Sequence, residues 1–185
     1  MIVDLGGVGH YKNGTVTVNI DPDTNPDIVC DFTASANQLN LHFDPLSVNM
    51  FTCIHTLEHL EPHEAMLSMK YWSEFLEPNS RLLIVVPDTE KIIEDYINKK
   101  ISADVAISIL FRNSPYEQMN QWAKHRWAWT DFTLRRDMTN AGYNTISPER
   151  QFVPDFWTYD YKGFEFTGAV GEYQVPNLKI MGIKK

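Results

Sequence analysis

Two short stretches carry residue types that could do chemistry. The first is Asp4-Leu5-Gly6-Gly7-Val8-Gly9-His10, an apolar run that ends in glycines. Glycine permits positive φ and lets a ligand approach the main chain closely. A dinucleotide pattern G-x-G-x-x-G begun at Gly7 would put its third glycine at Lys12, so it fails. No helix of useful length follows to aim its N-terminal amides at phosphates. This argues against NAD and nucleoside triphosphates, and not against a ligand without phosphates. The second stretch is His55-Thr56-Leu57-Glu58-His59. H-x-x-E-H is a zinc-peptidase pattern, and that chemistry needs both histidines on one helical face with a distant third ligand. His55 instead comes directly off a strand. The motif is therefore read as split, with His55 at the strand's carboxyl end, Glu58 and His59 in the first turn after it, and no metal. A third stretch, Gln121 to Thr130, sets Trp122, Trp127 and Trp129 around His125. It is either a packed connection or a lid over a substrate cavity, and its aromatic faces would favour a cation such as a sulfonium.

These groups need a scaffold, and the chain supplies short apolar runs that read as strands at Met1–Leu5, Thr15–Ile20, Asp27–Phe32, Met50–His55 and Arg81–Val86. Leu82 to Val86 is continuously apolar, which suits a parallel strand buried on both faces. Helices are expected from about Glu61 to Leu76, with Ala65, Met69, Trp72 and Leu76 as one apolar stripe, and over Lys91–Lys100 after a Thr89 cap. A further helix is expected over Asp131–Ala141, with a final strand in Asn177–Lys185. Alternating strands and helices argue an α/β sheet. About ten residues separate the first two strands, fewer than the dozen or more a parallel crossover usually takes. Those connections are either bare loops or one early strand runs antiparallel.

In such a sheet, polar groups at the carboxyl ends of successive strands line one crevice. Asp21 follows the second strand, Asp31 closes the third, and His55 ends the fourth.

Composition bounds the class of function. The 185 residues are 43% hydrophobic and 22% charged, which suits one globular domain. A net charge of −8 repels phosphate backbones, so nucleic acid is not an expected partner. Cys30 and Cys53 sit in apolar runs outside any CxxC pair and read as buried thiols in a reducing compartment. No signal peptide or apolar run of about 18 residues is present, so a cytoplasmic location off the membrane is expected.

Taken together, the motifs resemble the class I S-adenosylmethionine-dependent methyltransferases, and most nearly their compact type 11 subgroup. Asp4 to Gly9 resembles the family's cofactor motif. Asn19-Ile20-Asp21 is similar to the subgroup's Asn-Val-Asp, and Asp27-Ile28-Val29-Cys30-Asp31 to its third strand. His55 to Leu60 resembles His-Val-Leu-Glu-His-Leu, and Arg81 to Asp88 a fifth strand ending Val-Pro-Asp. His125-Arg126-Trp127, with Leu134 and Ala141-Gly142-Tyr143, is similar to a further signature.

The resemblance implies a Rossmann-like, mostly parallel seven-stranded sheet flanked by helices, with helices shortened or missing between the first three strands. The resemblance runs through most of the chain, strongest over Met1–Asp88 and His125–Tyr143, and implies a single domain over residues 1–185 with 89–130 as a lid or substrate-cover insertion. It implies an S-adenosylmethionine site at Asp4, Gly6, Gly7, Val8, Ile20, Asp21, Asp31, Phe32 and His55, with Asp21 on the ribose and Asp31 on the adenine side. The expected reaction is methyl transfer to a small-molecule or sugar acceptor. His55 and His125 are the candidate general bases, and Asp88 is a weaker one. Three features depart from the pattern. Val8 stands where a second glycine is usual, Asn49 replaces an Asp, and Pro78-Asn79-Ser80 replaces Pro-Gly-Gly. The usual covering segment before the first strand is also missing from this sequence. These departures motivate the alternative, a non-catalytic module that binds the cofactor or a partner through the same fold.

Overall fold

The computed structural model describes residues 1–11, 14–111, 124–147 and 175–185. Seven strands form one sheet in the order β3-β2-β1-β4-β5-β7-β6. They are β1 (Ile2–Leu5), β2 (Val16–Asn19), β3 (Ile28–Val29), β4 (Val48–Ile54), β5 (Leu76–Pro87), β6 (Tyr143–Ile146) and β7 (Asn177–Lys184). β1 to β5 pair in parallel, and β7 enters antiparallel between β5 and β6. The first five strands follow the doubly wound Rossmann order. The expected mostly parallel seven-stranded α/β sheet is what forms. No early strand is antiparallel. Between β2 and β3 the chain makes only one 3-10 turn, Pro22–Thr24, so that crossover is a loop.

Four helices are described: α1 (Pro62–Trp72), α2 (Thr89–Ile97), α3 (Ala103–Phe111) and α4 (Asp131–Asn140). Pro62 at the first turn starts α1, and Ala65, Ser68, Met69 and Trp72 form its buried stripe. The helix ends four residues before the expected Leu76, which is the first residue of β5 and pairs with Val48. Pro78, Asn79 and Ser80 are a bulge within β5 rather than a turn before it. Two steps on β4, Val48 to Met50, match five on β5, Leu76 to Arg81, with Asn79 at φ 63°. α2 begins one residue after its cap, which is Asp88 rather than Thr89. The Asp88 carboxylate accepts from the Lys91 amide at 3.1 Å.

The continuous apolar run of β5 is buried on both faces, as its pattern requires. Leu82, Ile84 and Val86 join the main core, while Leu83 and Val85 meet Met181 on the other side. α1 and α4 cover the main-core face. Trp72 Nε1 donates to the Phe32 carbonyl at 2.7 Å, and the Tyr143 hydroxyl donates to the Met69 carbonyl at 2.8 Å. α2 and α3 form a separate apolar cluster around Ile92, Ala106 and Ile109. Within the expected 89–130 cover, residues 112–123 lie outside the described residues, Trp122 among them. Among the described residues, no helix is long and apolar enough to cross a membrane.

Candidate functional site

All five parallel strands end at one edge, and the first site candidate is built there from main chain. Gly6 leaves β1 at φ 85°, and its amide donates to the Val18 carbonyl at 2.7 Å. A Cβ on Gly6 would stand 2.0 Å from Thr56 Oγ1, and one on Gly7 would stand 2.6 Å from Asp4 Oδ2. Both glycines are required by close approach. Val8, in contrast, is half exposed. The turn is braced by Asn19, whose Nδ2 donates to the Gly6 and Gly7 carbonyls at 3.1 and 3.0 Å. Asn19 Oδ1 accepts from the Asp21 amide at 3.0 Å, so one side chain ties the first two strand ends together. Asn19 was not among the expected site residues. Its signal is an amide-bearing residue at a strand end, two positions before an acid.

Apart from His55, which follows β4, the expected cofactor residues fall into two groups. Gly6, Gly7, Val8, Ile20, Asp21 and Asp31 stand along the carboxyl edge, on the β1, β2 and β3 ends. Asp21 Oδ1 accepts from the Asp23 amide at 3.0 Å, and Asp31 Oδ1 accepts from Thr33 N and Oγ1 at 2.9 and 2.7 Å. Asp4 and Phe32 lie deeper. Phe32 is buried against Trp72, with ring centroids 6.2 Å apart. Asp4 is buried beneath the glycines, accepting from Thr52 Oγ1 at 2.7 Å and the Tyr11 hydroxyl at 3.1 Å. Burial raises its carboxyl to about 6, against the smaller opposing effect of those two hydrogen bonds.

The second candidate lies beyond β4 and is built from side chains. His55 adopts φ 49°, its amide donating to the Val85 carbonyl at 2.8 Å. Leu57–His59 is a single 3-10 turn, so the two histidines of H-x-x-E-H do not share an α-helical face, as expected. Glu58 points inward and is 1% exposed. Its Oε1 is 3.3 Å from His55 Nδ1 and 3.9 Å from His125 Nε2. The two expected bases thus converge on one carboxylate. Burial alone would raise the Glu58 carboxyl, but His55, His59 and His125 together hold it below the ordinary range.

The segment bearing His125 is fastened to this turn. Arg126 N and Trp127 N both donate to the Glu58 carbonyl, at 2.8 and 3.2 Å. Trp129 is buried in the main core, whereas Trp127 is 42% exposed. Glu58, Pro87, Thr89, Leu110, His125 and Trp129 border a cavity of about 10 Å³, room for roughly one water-sized group. Both Glu58 oxygens, Thr89 Oγ1 and Trp129 Nε1 are buried there without a hydrogen bond of good geometry among the described residues. Asp88, the weaker base candidate, spends an oxygen on its helix cap.

Solved structures share this architecture over nearly the whole chain. A S-adenosylmethionine-dependent methyltransferase from Archaeoglobus fulgidus matches 99% of this chain and 85% of its own, at TM-score 0.55 and 13% identity. A S-adenosylmethionine-dependent methyltransferase from Mesorhizobium loti matches 99% and 90%, at TM-score 0.53 and 10% identity. The chain has the class I S-adenosylmethionine-dependent methyltransferase fold. The PH0226 protein from Pyrococcus horikoshii OT3 matches as well, over 100% and 81%, at TM-score 0.57 and 16% identity. No family model and no curated protein matches the sequence. A methyltransferase fold at such identities fixes the architecture, and function has to be argued from the site.

Proposed function

We propose that the chain binds S-adenosylmethionine and transfers its methyl group to a small-molecule or sugar hydroxyl. One observation carries this reading: the glycine turn after β1 packs directly on Thr56, in the turn that also holds His55 and Glu58. A ligand lying along the β1 to β3 ends would present one end to that polar cavity.

In this reading the Gly6–Gly9 main chain receives the methionine part of the cofactor, Asp21 the ribose hydroxyls, and Asp31 the adenine side. Asp4 is a positioning residue that fixes the turn from below. The sulfonium carries an activated methyl, so the protein mainly holds the acceptor oxygen in line with the C–S bond. Bound S-adenosylmethionine would supply the methyl for a new C–O bond as its C–S bond broke, and an imidazole would take the hydroxyl proton. His55 and His125 are the candidates, and Glu58 favours the protonated imidazole that results. The net charge of −8 supports an acceptor without a polyphosphate backbone.

The rival reading is a non-catalytic module on the same fold, motivated by Val8 and by the small volume of the cavity. Thermal unfolding with S-adenosylhomocysteine separates reading from rival. At about 100 times its dissociation constant a ligand adds about 2.7 kcal/mol, or several degrees at this size. The shift should appear in the native chain and shrink in Asp21→Ala, with a roughly 10-fold or greater loss of affinity for a lost carboxylate hydrogen bond. No shift at millimolar ligand refutes a cofactor site.

A further inference from the structure

The Glu58 turn carries a cluster that methyl transfer alone does not require. One ligand atom from each of Glu58, His59 and His125 lies within 4.8 Å of the other two. Glu58 is the buried member; its Oε1 is 3.3 Å from His55 Nδ1, and among the described residues neither oxygen has a hydrogen bond of good geometry. A buried carboxylate costs several kcal/mol unless positive charge compensates it, and here only imidazoles stand close to it among the described residues.

His59 is oriented for that purpose. Its Nδ1 is 3.1 Å from the Lys124 carbonyl oxygen. A carbonyl only accepts, so Nδ1 carries the hydrogen and Nε2 keeps its lone pair. Metal-ligating histidines are commonly held this way, one ring N–H on a carbonyl and the other nitrogen on the ion. The His125 ring stands edge-on to that of His59, with centroids 5.0 Å apart, and its side chain is 10% exposed. The hydrogen bonds from Arg126 N and Trp127 N to the Glu58 carbonyl fasten the two ligand-bearing segments together.

We propose that Glu58, His59 and His125 bind one divalent transition-metal ion. Two imidazoles and one carboxylate suit zinc or cobalt better than magnesium or calcium, which prefer all-oxygen shells. Ligand atoms on a tetrahedral ion stand roughly 3.4 Å apart at zinc's bond lengths. Loading therefore needs side-chain rotations of about an ångström from the present spacing. The ligands differ from the H-x-x-E-H pair, because His55 is replaced by His125 from a distant segment. Three protein ligands leave a position open, and Glu58 and His125 both border the cavity that contains Thr89 and Trp129. The role of the ion rests on the proposed function: the open position would take the acceptor oxygen, with His125 a ligand and His55 left to receive the proton. Ion binding itself does not depend on that reading.

The test is titration of the full chain, stripped with chelator, with Co²⁺ and then Zn²⁺. One equivalent of Co²⁺ per chain should bind with a visible absorption band, and Zn²⁺ should displace it. His59→Ala, at a half-buried position where folding should survive, should weaken binding at least ~10-fold. His42→Ala, at an exposed position after the 3-10 turn Leu39–Leu41, should leave it unchanged. Absence of one-to-one binding at about 100 µM metal, or equal binding by both variants, overturns the proposal. The S-adenosylhomocysteine shift measured on the same samples keeps the two readings distinguishable. Metal binding without that shift refutes methyl transfer alone, and the shift without metal binding refutes the ion site alone.

Discussion

The two halves of the crevice are made differently. On the β1 to β3 side, main chain forms the surface, and its polar groups are bonded locally: Asn19 to the glycine carbonyls, Asp21 to Asp23, Asp31 to Thr33. On the β4 and β5 side, side chains form the surface, and Glu58, Thr89 and Trp129 bury polar atoms that lack well-formed hydrogen bonds among the described residues. Nearly all buried polar groups in folded proteins are paired, so a cluster of exceptions marks where a ligand is expected to complete the set. The first half is a main-chain shelf whose polar groups are paired locally, and the second holds buried polar side chains that are not. Substitutions should therefore separate binding from turnover across the boundary at Thr56.

The largest effect should come from Glu58→Gln. Removing the charge against which His55 and His125 converge should lower turnover roughly 10²–10⁴-fold, the usual range for general acid–base catalysis. Cofactor affinity should change little, because the shelf lies on the other strands. The measurement is acceptor-dependent release of S-adenosylhomocysteine, with an acceptor found by screening, beside the ligand-induced melting shift. Equal loss of both readouts would abolish the distinction between the halves.

Gly6→Ala strikes the boundary itself. The new Cβ would lie 2.0 Å from Thr56 Oγ1 at a backbone φ of 85°. Backbone strain and overpacking together should cost about 2–4 kcal/mol in urea unfolding. Adding Thr56→Ala removes the contacts with Oγ1 and Cγ2 but keeps the Thr56 Cβ 2.9 Å away, so it should recover only part of the packing cost and leave the strain. Full recovery would mean that the positive φ is not required.

Much of the shelf was legible in the sequence, because strands and glycine turns are local patterns. Leu82 to Val86 announced a strand buried on both faces, and the glycines after Leu5 announced close approach. Leu76 misled because it continues the Ala65, Met69, Trp72 spacing by four residues, and periodicity cannot register that the chain has already turned into β5. β6 is four residues long and α3 is apolar without a narrow stripe, so neither declared itself. The second half was legible only in pieces. His55, Glu58 and His125 were each visible, but the contact between Glu58 and His125 spans more than sixty residues of chain, and no local pattern encodes it. Asn19 stood inside a quoted motif, yet its bridging role depends on the parallel pairing of β1 with β2.

Asp4 tests the shelf through pH. Its carboxyl is raised from 3.8 to about 6 by burial, the reverse of the common case for a paired acid. Between those values the folded state holds a proton that the unfolded chain gives up, so this group's contribution falls as pH rises through about 6. The loss is about 3 kcal/mol at most. Asp4→Asn removes it. The stability difference between Asp4→Asn and the native chain should therefore shift in favour of Asn from pH 4 to pH 7.5, measured by urea unfolding. A difference that stays flat would mean that Asp4 is better solvated than its burial implies.

The smallest effect, and the finest test of the comparison, is Val8→Gly. Val8 is 49% exposed and lies between two glycines, so its removal sacrifices little packing. Glycine's extra freedom should cost roughly 0.5–1 kcal/mol of stability. If the ligand crosses the main chain at this turn, clearing the isopropyl group should raise affinity for S-adenosylhomocysteine by roughly a few-fold despite that cost, since close approach is what the neighbouring glycines provide. The two effects have opposite signs and separate readouts, melting without ligand and the ligand-induced shift. Lower stability with unchanged affinity would place the ligand away from Val8, and the shelf would then be a structural turn whose glycines serve Thr56 and Asp4 alone.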